Sequence, residues 1–230
     1  MFFWDPTMVI VLPGLMLAIW AQFKVKGTFA RYRDYGTRSG MTADQVARTI
    51  LRQGGLPVEV EHVRGDLTDH YDPRDRTLRL SDSTYGSRSI AAIGVAAHEA
   101  GHAFQHAVGY APLSLRSNLV PVANFGSWLG MPLFFAGFFF QSPLLIEIGI
   151  VLFSFAVLFG LVTLPVEFNA SSRAIQILGE GGYLTAEEIP AARKVLNAAA
   201  WTYVASALVA VLSLLRLLIL SGILGGNRDE

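Results

Sequence analysis

The residues with the clearest chemical potential form a short motif near the middle of the chain, His98-Glu99-Ala100-Gly101-His102. Histidines at positions i and i+4 of a helix lie about 40° apart around its axis, so their imidazoles can reach one metal ion from neighbouring turns. Glu99 can accept a proton from a water bound to that metal. Two nitrogen donors, an open coordination position and a general base are suited to metal-assisted hydrolysis.

The flanks of this motif predict a buried helix within residues 89–109. Residues 90–97 and 103–104 are apolar, mostly small, and free of proline. A glutamate and two histidines in such surroundings lose solvation unless they are paired or bound to a metal. The alternative is a chance match in a structural helix, and the apolar context favours zinc. Since the chain has no cysteine, the zinc ligands must be histidines and carboxylates.

The composition is typical of a membrane protein with one modest water-facing portion. The chain has 230 residues, of which 52% are hydrophobic and only 16% are charged. Its formal net charge is zero, and this absence of a basic excess argues against nucleic acid as a partner. The composition therefore predicts the lipid bilayer as the main environment of the chain.

Long apolar runs predict four membrane spans, over about residues 8–23, 118–141, 144–164 and 198–225. The first run can extend upstream through residues 2–4. Residues 24–116 and 165–197 then lie on the same side and hold 13 and 3 of the 18 Lys and Arg residues. The positive-inside rule places both segments in the cytoplasm. We therefore expect one integral domain over residues 1–230, in a bacterial inner membrane, with the motif helix facing the cytoplasm.

The polar segment before the motif predicts a small α+β portion. Thr42 and Gln45 form a capping box for a helix over residues 43–53, which Gly54 ends. Residues 58–63 and 77–80 have strand character, separated by a turn-rich segment at 69–73. A hairpin or small sheet should lead into the motif helix, and residues 77–80 are expected to present a sheet edge to an extended substrate. The predicted fold is thus mainly α, with an α+β zincin-like catalytic portion at the cytoplasmic face.

A metal held by two histidines needs a third protein ligand. The metzincin solution, with glycine and histidine seven and ten residues after the first histidine, is excluded because Gln105 and Val108 occupy those positions. His106 lies about 80° around the helix from His98 and two turns away. The best candidate is Glu167, in an apolar setting on the same predicted side of the membrane. The weaker candidates occur in polar, turn or strand sequence: Glu180, Glu187, Glu188, His62 and His70.

Three stretches, His98–His106, Leu164–Arg173 and Leu67–Pro73, resemble the neutral zinc metallopeptidases of bacterial membranes, the YugP-like family, and the likeness extends over nearly the whole chain. The chain is more distantly similar to the membrane gluzincins, such as the heat-shock membrane protease and the CAAX prenyl protease. This resemblance implies one zinc ion per chain, with Glu167 as third ligand. Where the gluzincin pattern has an aspartate that orients a histidine, this chain has Ser171, an uncharged hydrogen-bond acceptor.

These observations predict a zinc-dependent endopeptidase that cleaves peptides or membrane proteins by a metal-activated water, with Glu99 as general base and His98, His102 and Glu167 as ligands. Stabilisation of the oxyanion needs a further donor. The candidates for that role are Arg173, His106, His70 and Tyr71. The alternative is a zinc-binding membrane scaffold or pseudo-peptidase without hydrolytic activity. A metal transporter is disfavoured, because the four apolar runs contain neither histidine nor aspartate.

Overall fold

The computed structural model describes residues 6–223, most of which are helical. A 3-10 helix, Pro6–Ile10, precedes the regular elements. In chain order these are α1 (Leu12–Arg33), α2 (Ala43–Gln53), β1 (Glu59–His62), β2 (His70–Asp72), β3 (Thr77–Leu80), α3 (Ile90–Ala107), α4 (Ala111–Phe139), α5 (Pro143–Glu180) and α6 (Ile189–Leu220). The prediction of a mainly α fold with a small β portion is confirmed.

The described residues divide into two compact units. One unit comprises residues 6–21, 115–164 and 202–223, and the other comprises residues 22–114 and 165–201. Helices α1, α4, α5 and α6 each contribute residues to both units. The assignment of residues 1–230 to one functional domain stays a prediction.

Within the described residues, α4, α5 and α6 are long and apolar enough to cross a membrane. The prediction of four spans is therefore wrong for this part of the chain, because α1 does not qualify. The apolar part of α1 ends at Phe23, and a longer stretch would carry Lys24 and Lys26 into hydrocarbon. The predicted extension through residues 2–4, and the end of the last predicted span at 224–225, lie outside the described residues.

Small residues allow α4 and α5 to pack closely within the first unit. A Cβ atom added at Gly149 would lie 2.8 Å from the carbonyl oxygen of Gly130, too close for any side chain. Such contacts are typical of helices that associate in a membrane. The same unit exposes large apolar side chains, among them Trp128 and Phe139, which are 74% and 82% exposed. An apolar outer surface of this kind suits contact with lipid.

The second unit contains a sheet of strand order β1–β3–β2. β1 is parallel to β3, while β2 is antiparallel to it and places Tyr71 opposite Leu78. The strands predicted at 58–63 and 77–80 are confirmed, and so is the small sheet. The segment at 69–73, predicted as a turn, instead contains β2, and the chain turns at residues 73–76. Arg76 ends this turn with φ +54°.

The free edge of this sheet differs from the predicted one. Residues 77–80 were expected to offer an edge to an extended substrate, but β3 is the central strand and is paired on both sides. That prediction is wrong. In the described part of the chain, β2 pairs only with β3, so its other edge is free, and this strand contacts α3.

Helix α2 has the bounds that the sequence predicts. The side chain of Gln45 accepts a hydrogen bond of 3.0 Å from the N–H of Thr42, and Gly54 caps the C-terminus. Helix α3 begins after Ser89, whose Oγ accepts a 3.1 Å hydrogen bond from the N–H of Ala92. The apolar faces of α2, α3 and the sheet share one core, which includes Val46, Leu51, Leu78, Ile93 and Ala97. This core fixes the orientation of the motif helix.

Helix α3 approaches the C-terminal part of α5 at Gly101, within the second unit. A Cβ atom at this position would lie 2.8 Å from the carbonyl oxygen of Ala170. Any side chain larger than hydrogen would therefore separate the two backbones. Gly94, two turns earlier on α3, has more room, since a Cβ there would lie 3.7 Å from Ala192.

We predict that Gly101→Ala lowers the free energy of unfolding by about 1–3 kcal/mol, because overpacking forces α3 and α5 apart. Its zinc content should fall as well, since Gly101 lies between the two motif histidines. Thermal unfolding in detergent, together with metal analysis, measures both effects.

Gly94→Ala is the matched control. Its methyl group meets an ordinary van der Waals contact, and alanine favours a helix over glycine by about 1 kcal/mol. This variant should be as stable as the native chain or more stable. Equal stability and zinc content in both variants would contradict a close approach at Gly101.

Candidate metal centre

Two helices of the second unit bring three ligand-type side chains together. Helix α3 supplies His98 and His102 one turn apart, and α5 supplies Glu167. The Oε2 atom of Glu167 lies 3.2 Å from Nε2 of His98 and 3.7 Å from Nε2 of His102. All three ligand atoms lie within 4.8 Å of one another. The three residues that the sequence singles out as ligands therefore converge on one point.

This group fits a zinc ion in its donor chemistry and in its spacing. Imidazole nitrogen and carboxylate oxygen are ordinary zinc ligands, and bonds of about 2.0–2.1 Å to a tetrahedral ion separate neighbouring ligand atoms by about 3.3 Å. The two distances from Glu167, 3.2 and 3.7 Å, bracket that value. The group His98, His102 and Glu167 could thus hold one metal ion.

The electrostatics of the group also favour a cation. Glu167 is only 2% exposed, and a buried carboxylate is costly unless positive charge offsets it. Burial lowers the pKa of His102, but hydrogen bonding to Glu167 and the charges of Glu99 and Glu167 outweigh burial and raise this pKa above its ordinary value. The surroundings therefore stabilise positive charge at the point where the ligand atoms meet.

Each imidazole is held through its second nitrogen. The Oγ atom of Ser171 lies 3.1 Å from Nδ1 of His98, and Oε1 of Gln105 lies 2.9 Å from Nδ1 of His102. With its Nδ1–H donated to an oxygen, each ring directs the lone pair of Nε2 towards the ligand group. Such partners fix ring orientation and raise the basicity of a ligating histidine.

Gln105 connects this support to α5. Its amide group is fully buried and donates to the carbonyl oxygen of Val166 at 2.8 Å and to Oδ1 of Asn169 at 3.0 Å. Arg173 donates through Nε to the same Oδ1 at 2.8 Å. All of the polar groups of Gln105 are therefore used, and the side chain ties the ring of His102 to the backbone next to Glu167.

Gln105 and Asn169 are site residues that were not predicted from the sequence, where Gln105 served only to exclude the metzincin pattern. A signal was nevertheless present, because Gln105 is a polar residue three positions after His102 in a largely apolar helix. A residue at i+3 lies next to its neighbour on the helix surface, within reach of the Nδ1 atom of that histidine.

Glu99 lies beside the ligand group and not within it. The described cluster comprises His98, His102 and Glu167, and Oε2 of Glu99 instead accepts a 3.0 Å hydrogen bond from the N–H of Tyr71. This N–H points away from β3, at the free edge of β2. The base predicted from the motif is thereby positioned where an extended chain along β2 would pass.

The remaining predicted residues occupy different places. The hydroxyl oxygen of Tyr71 lies 2.8 Å from Nδ1 of His106, and burial raises the pKa of Tyr71, which keeps the phenol neutral. His70 is exposed, with Nδ1 2.8 Å from the carbonyl oxygen of Thr68. Arg173 supports Asn169. His70, His106 and Arg173 do not belong to the ligand cluster found among residues 6–223.

The weaker ligand candidates are bound elsewhere. Glu188 accepts hydrogen bonds from the N–H groups of Arg38 and Thr185, both at 2.8 Å, and Glu187 pairs with the Arg38 side chain. The other two candidates also have partners outside the ligand group, since Glu180 bonds to Gln176 and His62 bonds to Asp82.

Comparison with known proteins identifies the family of the chain. A family model described as "Putative neutral zinc metallopeptidase" matches residues 7–222. A protein of Bacillus subtilis (strain 168) named "Putative membrane protease YugP" is 51% identical over 222 residues, which cover 96% of this chain and 97% of that protein. No solved structure matches the chain.

We predict that Gln105→Leu lowers zinc affinity by about 10- to 100-fold, the usual effect of removing a partner that orients a histidine ligand. Leucine keeps the volume of glutamine but leaves the Nδ1–H of His102 and the carbonyl of Val166 without their partner. Competition with a zinc chelator measures the affinity.

The control is Gln176→Leu, a change of the same kind at an exposed position on α5. Its zinc affinity should equal that of the native protein. Native zinc affinity in Gln105→Leu would mean that the buried amide does not orient His102.

Proposed function

Since this chain belongs to the family of neutral zinc metallopeptidases, we propose that it is a zinc-dependent membrane endopeptidase in which Glu99 is the general base. The observation that carries the proposal is the convergence of two imidazole nitrogens with the Glu167 carboxylate, while Glu99 stays outside that group. A purely structural site has no use for an additional unligated carboxylate at its border.

In this proposal His98, His102 and Glu167 hold one zinc ion per chain. When bound there, zinc polarises the scissile carbonyl and makes a water molecule acidic enough to react near neutral pH. Glu99 removes a proton from the attacking water and delivers it to the leaving nitrogen of the peptide bond. Ser171 and Gln105 keep the two rings oriented while Glu99 changes its protonation state.

The free edge of β2 is the proposed position of the substrate backbone. In an antiparallel pair the N–H and C=O groups of one residue point to the same side of the strand. Because the N–H of Tyr71 points to Glu99, its carbonyl also faces the free edge and can accept a hydrogen bond from an extended peptide. Pro73 has no N–H group, so pairing along this edge ends there. Backbone pairing of this kind accepts many sequences.

We also propose that the active site faces the cytoplasm of a bacterial cell, from its inner membrane. Helices α4 and α5 are consecutive candidate spans, so the chain segments before α4 and after α5 emerge on the same side. Residues 24–116 and 165–197, which adjoin these two spans on that side, hold 16 of the 18 Lys and Arg residues, an excess typical of the cytoplasmic side. Cytoplasmic peptides and exposed segments of membrane proteins are then the available substrates.

We predict that Glu99→Gln lowers kcat by at least about 10²–10⁴-fold, because proton transfer by a positioned side chain contributes about that much to the rate. The variant keeps all three proposed ligands, so its zinc content should equal that of the native protein. Digestion of a peptide library by purified protein, with metal analysis of the same samples, tests both expectations. Equal activity in the two proteins would refute the proposed base.

The non-hydrolytic scaffold gives a different result in the same experiment. A structural site has a closed coordination sphere, so neither the native protein nor Glu99→Gln would then cleave any peptide, although both would retain zinc.

We further predict that Glu167→Ala loses zinc and activity together. Loss of a direct ligand should lower zinc affinity by more than the 10- to 100-fold that loss of an outer partner costs. The controls are Glu180→Ala and Glu187→Ala, which remove carboxylates outside the ligand group and should keep native zinc content and activity. One tightly held zinc ion per chain in Glu167→Ala would show that the third ligand is another residue.

A further inference from the structure

A cavity of about 300 Å³ opens beside the Tyr71–His106 pair. Five apolar residues line it, from the loop between α2 and β1 and from α3: Leu56, Pro57, Val58, Ala103 and Ala107. Its polar lining comes from Tyr71, His106 and Arg76. A volume at the lower limit of small-molecule pockets, which hold about 300–1,000 Å³, suits one amino-acid side chain.

Tyr71 links this cavity to the proposed base. Its backbone N–H donates to Glu99, while its side chain lies in the cavity wall and contacts His106. Ala103 lies four residues after Glu99 on α3, so it follows on nearly the same helix face. A peptide extended along the free edge of β2 past Glu99 would therefore place one of its side chains at the mouth of the cavity.

The charges around the turn after β2 leave one arginine without an acidic partner. Arg74 pairs with Asp72 at 2.6 Å, and Arg79 pairs with Asp75 and also with Glu61. Arg76 lies between these pairs and makes no ion pair within residues 6–223. The carboxylates of Asp72, Asp75 and Glu61 are thus already paired with other arginines, and Arg76 gives the lining of the cavity a positive charge.

We propose that this cavity is a substrate subsite that binds a carboxylate of the peptide, with Arg76 as its cationic partner and the apolar wall covering the methylene groups. The inference rests on the proposed peptidase function and adds a preference to it. Arginine offers several N–H donors in a planar group that matches a carboxylate. Tyr71 and His106 supply hydrogen-bonding groups beside it.

The test compares peptides that differ only by glutamate or glutamine at one position, scanned across the cleavage site. The native protein should cleave the glutamate peptide about tenfold better at one position, as expected when a charge-assisted hydrogen bond worth about 1.4 kcal/mol is made there. Arg76→Asn should abolish this ratio, and Arg76→Lys should retain part of it. Asparagine is chosen because it tolerates the left-handed backbone of residue 76.

The control is Arg52→Ala, which removes an exposed arginine of α2. Arg52 donates through Nε to the carbonyl oxygen of Arg48 and does not line the cavity, so the ratio of glutamate to glutamine cleavage should stay native. Arg76→Glu, a reversal of charge, should favour lysine over glutamate at the same position. An equal ratio in the native protein and in Arg76→Asn would overturn the proposal, and so would the absence of any preference for glutamate.

Two further experiments complete the test. The first distinguishes a side-chain carboxylate from the C-terminal carboxylate of the peptide, and the second tests the subsite independently of the peptidase function. Peptides with an amidated C-terminus and an internal glutamate report a side-chain carboxylate, whereas peptides with a free C-terminus and no acidic residue report the terminal one. Binding of the same fluorescent peptides to Glu99→Gln is measured by anisotropy, without hydrolysis. Glutamate-dependent binding that Arg76→Asn removes would support the subsite even if the native protein cleaved nothing, and only the peptidase proposal would then fail.

Discussion

The buried carboxylate of Glu167 is the constraint on which the arrangement of this site depends. At 2% exposure it has almost no contact with solvent, and its Oε2 atom lies 3.2 Å and 3.7 Å from the Nε2 atoms of His98 and His102. A negative charge in such a position destabilises a fold unless a cation or several donors compensate it. A divalent ion at the meeting point of these atoms would satisfy the carboxylate and both imidazoles at once, and folding and metal binding would then be coupled.

That coupling requires α3 and the end of α5 to lie very close together, and two residues of α3 make this approach feasible. Gly101 removes the Cβ atom that would collide with the carbonyl of Ala170. Gln105, one turn later, fills the space with an amide that bonds across to Val166 and Asn169. Gly101 permits the close contact between the helices, and Gln105 fixes how they are aligned. The hydrogen bond from His102 to Gln105 then holds the imidazole in one orientation. The positions of the three ligand-type side chains are thus set by helix packing, on rigid elements.

Local signals in the sequence predicted local structure well. The capping box at Thr42 and Gln45 and the apolar run around His98 predicted α2 and α3 because helix ends and faces depend on nearby residues. Glu167 could be named because a lone carboxylate in an apolar segment needs a partner. Gln105 was missed since its role depends on the backbone of α5, which no local pattern contains. β2 was missed for a similar reason. Its three residues lie in a segment rich in turn formers, and they become a strand only because β3 is available to pair with them.

Tyr71 shows how such a short edge strand can combine several functions. Its N–H holds the carboxylate of Glu99, its carbonyl faces the free edge, and its side chain forms part of the cavity wall. Because Pro73 has no N–H to offer, the N–H of Tyr71 is the donor that lies nearest to the base on this edge. In the proposed mechanism, an ionised Glu99 keeps that donor, and the substrate would pair through the carbonyl of Tyr71. A protonated Glu99 would hold the same N–H more weakly. Proton transfer at Glu99 would thereby be coupled to the hydrogen bonds that the edge strand makes with a bound peptide.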